Sequence, residues 1–284
     1  MRTIDGGFPI RVFGVFCGAY SDGIRRSIDV IANRSLASTF RGMKVLGIDI
    51  GGSAFKGAPV DTQTGRLLAE RHRVEIESPC SIQTGVAAVR EIVRHFDWKG
   101  SVGIGFPAII RDGKIGAVGN LGQVWEKQNG AALFRRATRC PVKLINDADA
   151  AGLAEMKFGA GRGRQDSVLL LTLGTGIGSA LFHEGHLFPN VELGHIPWKG
   201  KPMERFASAA VRKRAHLEWR EWALRVNVYL GVVERLLSPD LIIIGGGVSK
   251  KSEKWFKYVK ANAKVVPAAM HNDAGIVGAA LAGE

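Results

Sequence analysis

Cysteine is scarce in this chain: there are three, Cys17, Cys80 and Cys140, set far apart. An odd, dispersed set excludes a disulfide framework and a cysteine-rich zinc site, and it fits a reducing cytoplasm. No uninterrupted apolar run approaches the length of about 18 residues that reads as a membrane-spanning helix. Acidic side chains are also in deficit, with 26 Asp and Glu against 39 Lys and Arg, a net charge of +13. That surplus predicts attraction to polyanions. Nucleic acid, an anionic membrane surface and inorganic polyphosphate all qualify, and a general basic bias with no partner is the plainer alternative. What is present is an ordinary hydrophobic share of 46%, enough for a sizeable core.

Residues 1–42 differ from the rest. They hold six arginines, no lysine, three aspartates and no glutamate, contributing 6 − 3 = +3. They show neither clean alternation nor a helical period, and their short apolar stretch around Phe13–Tyr20 lacks signal-peptide architecture. The segment is read as an atypical extension, disordered or produced by a misplaced start codon. A targeting leader and a DNA-binding appendage are the alternatives.

From Met43 onward strand and helix signals alternate. Buried-strand runs stand at Val45–Ile50, Val142–Ile145, Val168–Leu173 and Leu241–Ile244. Ile82, Val86, Val89, Val93 and Phe96 recur at helical spacing, and a long amphipathic helix is expected over roughly 216–237, with Trp219, Trp222, Val226, Tyr229, Val233 and Leu236 as core. Short aliphatic strands alternating with helices predict an α/β protein with partly parallel sheets.

GIDIGGSAFKG (47–57) and LTLGTGIGSA (171–180) share a plan: an apolar strand, a glycine turn with a hydroxyl residue, and a second apolar strand. Glycines allow backbone N–H groups to approach phosphate oxygens closely. Gly51, Gly52, Ser53, Gly174, Thr175 and Gly176 are therefore candidate phosphate contacts, with Gly246 in a third glycine turn and Lys56 as a point charge. Neither turn has the residue order of a Walker A loop. An ordinary β-hairpin explains either turn alone; together they suggest two similar half-domains facing one phosphate chain. Asp49, at the end of the first strand, is a candidate magnesium ligand, directly or through water. In INDADAAGLAE (145–155), Asp147 falls where a strand becomes a helix, and a helix N-terminus favours the ionised form that a general base needs. A plain N-cap aspartate is the alternative.

These motifs in order (DIGG-x3-K, GIGFPA, Asn120, NDADAA, GTGIGSAL, ELGH and IIIGGGVSKK) resemble the ROK family of sugar kinases within the actin-like ATPase superfamily, over about 43–284. The resemblance implies a two-lobed, ribonuclease H-like α/β fold with a cleft between lobes. Residues 43–146 plus 271–284 would form the smaller lobe and 147–270 the larger. It also implies a hexose clamp of Gly105, Asn120, Asn146, Asp147, Glu192 and His195, with Asp147 as catalytic base toward the sugar's 6-hydroxyl. Carboxylates and amides suit adjacent hydroxyls, and a site built from them rejects analogues that lack those hydroxyls.

In many ROK kinases the histidine of ELGH also binds zinc, and a Cys-x-Cys-Gly cluster follows it. Here no cysteine follows Cys140, so His195 is read as a sugar ligand with no zinc site. The missing cluster, the short Asn190–Glu192 segment and the closing motifs resemble the branch of the family that uses inorganic polyphosphate. A polyphosphate donor needs a cationic groove, as nucleic acid does. Lys250, Lys254, Lys257 and Lys260 would share about a third of a helical circumference at ~100° per residue. Other basic clusters are Arg162/Arg164, Lys199/Lys201/Arg205 and Arg212/Lys213/Arg214. The expectation is phosphoryl transfer from polyphosphate, with ATP open as a further donor, to the 6-hydroxyl of glucose, with mannose open as a second sugar. Mg²⁺ is the implied cofactor and a homodimer the implied assembly, with neither nucleic acid nor membrane as partner. A strictly ATP-dependent hexokinase and a sugar-sensing transcriptional regulator are the alternatives.

Overall fold

The computed structural model describes residues 43–118 and 121–284. The expectation for 1–42 lies outside the described residues. β1 (Lys44–Ile50) turns at Gly51–Ser53 into antiparallel β2 (Ala54–Asp61), with Asp49 opposite Lys56. β3 (Arg66–Leu67) and β4 (His72–Glu75) both pair with β2. α1 (Ile82–His95) follows, with Ser81 capping it by accepting the Thr84 N–H; of its expected stripe Val89 and Val93 are buried and Ile82, Val86 and Phe96 half-buried, while Ile92, outside that stripe, is buried with them. β5 (Val102–Phe106) pairs with β1 in parallel, the hairpin β6 (Ala108–Arg111) and β7 (Lys114–Val118) stands aside, and α2 (Gly130–Thr138) leads to β8 (Val142–Asn146), parallel to β5. The order is β3-β2-β1-β5-β8.

α3 (Asp147–Phe158) leaves the end of β8. A second sheet then repeats the plan. β9 (Val168–Leu173), β10 (Ile177–His183) and β11 (His186–Phe188) are antiparallel neighbours. The small hairpin β12 (Pro197–Trp198) and β13 (Lys201–Pro202) and the helices α4 (Glu204–Ala207), α5 (Ala209–Arg214) and α6 (Trp219–Leu237) follow. β14 (Leu241–Gly245) and β15 (Lys264–Pro267) then add in parallel to β9, giving β11-β10-β9-β14-β15. α7 (Ala274–Ala282) packs on β1, β5 and α3, while α3 also packs on β9 and β10. One apolar cluster, including Val45, Val60, Ala154, Leu170, Phe182 and Ile276, therefore joins both sheets through these two helices. Small residues on α3 and α7 allow that close seam.

Two helical expectations need correction. α6 begins at Trp219 instead of 216, because Glu218 and Glu221 form a capping box there; Trp222, Val226, Tyr229 and Val233 are core, but Leu236 is 61% exposed. The lysine stretch is not one α-helix. It forms two 3₁₀ segments, Ser249–Lys254 and Phe256–Tyr258, with a non-helical Lys251. Trp255 explains the break: it is fully buried against Trp222, and its indole N–H donates to the Val248 carbonyl at 3.3 Å. Burying that ring bends the chain, so spacing at 100° per residue does not apply.

Candidate active site

The turn from β8 into α3 places the two central polar residues. Asn146 is the N-cap, its Oδ1 accepting the N–H groups of Ala148 (2.9 Å) and Asp149 (3.0 Å) while its Nδ2 donates to the Ala108 carbonyl (3.1 Å). Only one amide hydrogen of Asn146 is left for a ligand. Asp147 Oδ1 accepts the Ala148 N–H at 2.9 Å. Burial raises the Asp147 carboxyl to about 7, and the charges of Asp49, Glu192 and Asp149 add to that rise against the one backbone hydrogen bond. The expectation of an ionised form favoured by the helix N-terminus is thus corrected. Desolvation and three like charges outweigh a helix end, leaving a group poised near neutrality, where a general base is most effective.

Asp147 lines two adjoining cavities. The larger, about 310 Å³, is bounded by Gly51 and Gly52 of the first hairpin, by Gly174, Thr175 and Gly176 of the second, and by Asn146, Glu192, His195 and Gly246. That volume is at the small end of ligand sites. The segment carrying Glu192 is pinned from two sides. Ser179 Oγ donates to the Val191 carbonyl (2.6 Å) and accepts the Leu193 N–H (3.0 Å). Asn190 donates its backbone N–H to Asp149 Oδ2 (2.8 Å), and its side chain pairs with the backbone N–H and carbonyl of Ile110. Glu192 and His195 converge at 3.9 Å, beyond hydrogen-bond length, so both keep free polar atoms toward the cavity. Burial raises the Glu192 carboxyl, with His195 opposing and Glu204 adding to the rise.

The smaller cavity, about 190 Å³, is bounded by Asp49, Lys56, Asp147, Thr172, Gly245–Gly247, His271 and Asn272. Burial raises the Asp49 carboxyl, while the charges of Lys56 and then Arg71 oppose that. A Cβ at Gly275 would sit 2.9 Å from the Asp49 carboxyl carbon, so only glycine lets α7 approach there. Gly246 has φ +81°, and a Cβ on it would meet the Leu173 carbonyl oxygen at 2.5 Å.

Several expected residues fall elsewhere. Gly105 is buried in β5 behind the start of α3 and lines neither cavity. A Cβ there would make only ordinary contacts, 3.5 Å from the Ala150 Cβ and 3.7 Å from the Asp147 Cα, so its neighbours do not require glycine at this position. Ser53 is exposed at the hairpin tip and lines neither cavity, because Gly51 and Gly52 turn their backbone inward before it. Lys250, Lys254 and Lys257 are exposed and line neither. Asn120 lies outside the described residues.

Sequence reasoning missed Glu204, Thr172, His271 and Asn272. Glu204 lines the larger cavity and accepts the Ile177 N–H at 3.3 Å. Its one sequence signal was its place in the basic stretch after ELGH.

A topology stated twice, with a carboxylate helix start at the seam between the copies, defines the actin-like ATPase class of proteins. Within that class the chain belongs to the ROK family, whose model matches residues 45–208. It is 40% identical over 241 residues to the polyphosphate glucokinase of Mycobacterium tuberculosis, covering 83% of this chain and 89% of that one. The crystal structure of the inorganic polyphosphate/ATP-glucomannokinase from Arthrobacter sp. strain KM superposes with a TM-score of 0.81 at 41% identity, covering 84% and 97% of the two chains. A ROK glucokinase from Streptomyces griseus, solved with glucose and AMPPNP, superposes at 0.71 with 25% identity, covering 84% and 98%.

Proposed function

We propose that this protein transfers a phosphoryl group from inorganic polyphosphate to the 6-hydroxyl of glucose, giving glucose 6-phosphate, with ATP as a second donor. The observation that carries the reading is the position of Asp147, which lines both cavities at once. A group that takes a proton from an attacking hydroxyl must stand between acceptor and donor. The names of the relatives from Mycobacterium tuberculosis and Arthrobacter support the choice of substrates.

In this reading glucose occupies the larger cavity. Glu192, His195, Glu204 and the free amide hydrogen of Asn146 bind its hydroxyls, and Asp147 receives the proton of the 6-hydroxyl as its oxygen attacks phosphorus. The donor's terminal phosphate enters the smaller cavity beside Lys56, whose ammonium meets its charge. The N–H groups of Gly51 and Gly174 already donate to the Ala54 and Gly176 carbonyls, so in this reading the other backbone N–H groups of the two hairpin turns would stabilise charge on the transferring group as fixed dipoles. The exposed lysines at 250, 254 and 257 lie beyond the cavity and would meet only a longer chain.

Asp49 suits a hard cation. No described donor hydrogen-bonds its carboxylate, and it lines the cavity that would take phosphates. Mg²⁺ is usually held by one or two carboxylates plus substrate phosphates, keeping several waters. When bound, Mg²⁺ would supply charge neutralisation for the phosphates, and Asp49 is the residue that would hold it.

The test is glucose 6-phosphate formation by purified full chain with Mg²⁺ and glucose, and either long-chain polyphosphate or ATP as sole donor. Turnover with polyphosphate that falls as salt is added supports the reading. Turnover with ATP alone would retain the sugar site and the base and refute polyphosphate as donor.

A further inference from the structure

The smaller cavity is closed by a turn to which the proposed transfer assigns no role. Between β15 and α7, His271 and Asn272 line that cavity beside Asp49, Lys56 and Asp147. His271 has φ +48°, the left-handed region. A side chain held there is strained, and such strain persists only where the surroundings fix it. Two struts do so. Glu155 is fully buried on α3, and its Oε1 accepts the Met270 N–H at 2.7 Å while its Oε2 accepts those of Ala269 (3.1 Å) and Ala160 (2.8 Å). From the other side, Arg71 Nη1 donates to the Asn272 carbonyl (3.3 Å) and to Asp273 Oδ1 (3.1 Å).

α3 begins with Asp147 and carries Glu155 two turns later. One rigid helix therefore fixes both the carboxylate that meets the sugar and the turn that faces the donor. His271 is exposed and outside every apolar cluster, so packing does not account for its conformation.

We propose that Ala269–Asp273 is a donor-recognition turn in which His271 donates a hydrogen bond to a donor phosphate, with Glu155 and Arg71 as its positioning residues. The inference rests on the phosphoryl-transfer reading of the site. It makes the donor side more than a glycine cradle with one lysine, because an imidazole N–H adds a directional contact to a phosphate oxygen.

The test uses His271→Gln in the full chain. Initial rates are measured with donor varied at saturating glucose, then with glucose varied at saturating donor. The donor KM rises about tenfold, the scale of one lost charge-assisted hydrogen bond, while the glucose KM stays within about twofold. Glu155→Gln gives the same split, acting through the turn. Should that buried change prevent folding, His271→Gln decides alone. A donor KM within about twofold of wild type in His271→Gln overturns the proposal. The donor is whichever of polyphosphate and ATP the wild type turns over, so loss of the polyphosphate reading and loss of this inference are separate results.

Discussion

In β1 the residue before last is Asp49, opposite Lys56 across the hairpin; in β9 the matching place is Thr172, opposite Gly178. The backbone plan is the same, down to the two parallel strands added on the far side, except that the first sheet carries β4 as an additional partner of β2. The side chains are not. One hairpin brings a carboxylate and an ammonium to the smaller cavity. The other brings a hydroxyl and an empty position, and Gly178 is empty for a reason: a Cβ there would fall 2.5 Å from Thr172 Oγ1 and 2.9 Å from the Ala148 Cβ, beside the start of α3. Two copies of one unit have thus divided the work. The first supplies charge and the second supplies room for the start of α3, where Asp147 stands.

That division can be broken from the charged side first. Asp49→Asn is expected to lower kcat by about 10², because it removes the carboxylate suited to the cation in a site where fixed charge does most of the work; steady-state rates with donor and Mg²⁺ saturating measure this. Lys56→Met is expected to cost about tenfold, mainly in donor KM, since it removes one phosphate contact and leaves the base in place. Thr172→Val, on the neutral hairpin, is expected to change kcat/KM by less than about threefold. An effect at Thr172 as large as that at Asp49 would end the claim that the hairpins differ in role.

The charge gathered at the seam also has a cost in stability. The Asp147 carboxyl rises from 3.8 to about 7 in the folded chain. Between those values the native state holds a proton that the unfolded state has lost, so Asp147 makes the fold less stable as pH rises through that window. Over the same range activity is expected to rise if, as proposed, the ionised form of Asp147 is the base. Asp147→Asn should therefore melt higher than wild type, by roughly 2–4 °C per kcal/mol gained, with the gap widening as pH rises from about 4 to about 7. Calorimetric melting of both proteins across that range checks it. A gap that narrowed as pH rose would reverse the sign.

Much of this arrangement was legible in the chain. The aliphatic runs and their glycine endings mark β1, β9 and β14, because a strand buried on both faces reads as a continuous apolar stretch. NDADAA marks the start of α3 because its Asn caps that helix. Other features depend on contacts far apart in sequence. Glu155 reaches Met270, Asn190 reaches Ile110, and Glu204 leans over Ile177, and no local period announces any of them. The lysines after Gly247 were misjudged for the same reason, since Trp255 is drawn into a core built by α6. The state of Asp147 was also hidden, because three of the charges that set it arrive from β1, from the segment after β11 and from its own helix.

The most direct test compares wild type with Asp147→Asn, using polyphosphate as sole donor and following glucose 6-phosphate, with glucose affinity measured by calorimetry on the same preparations. The account predicts a rate lower by about 10²–10⁴ with glucose binding within about threefold, as expected when a general base is lost and the sugar contacts remain. A variant that turned over at near the wild-type rate would contradict it.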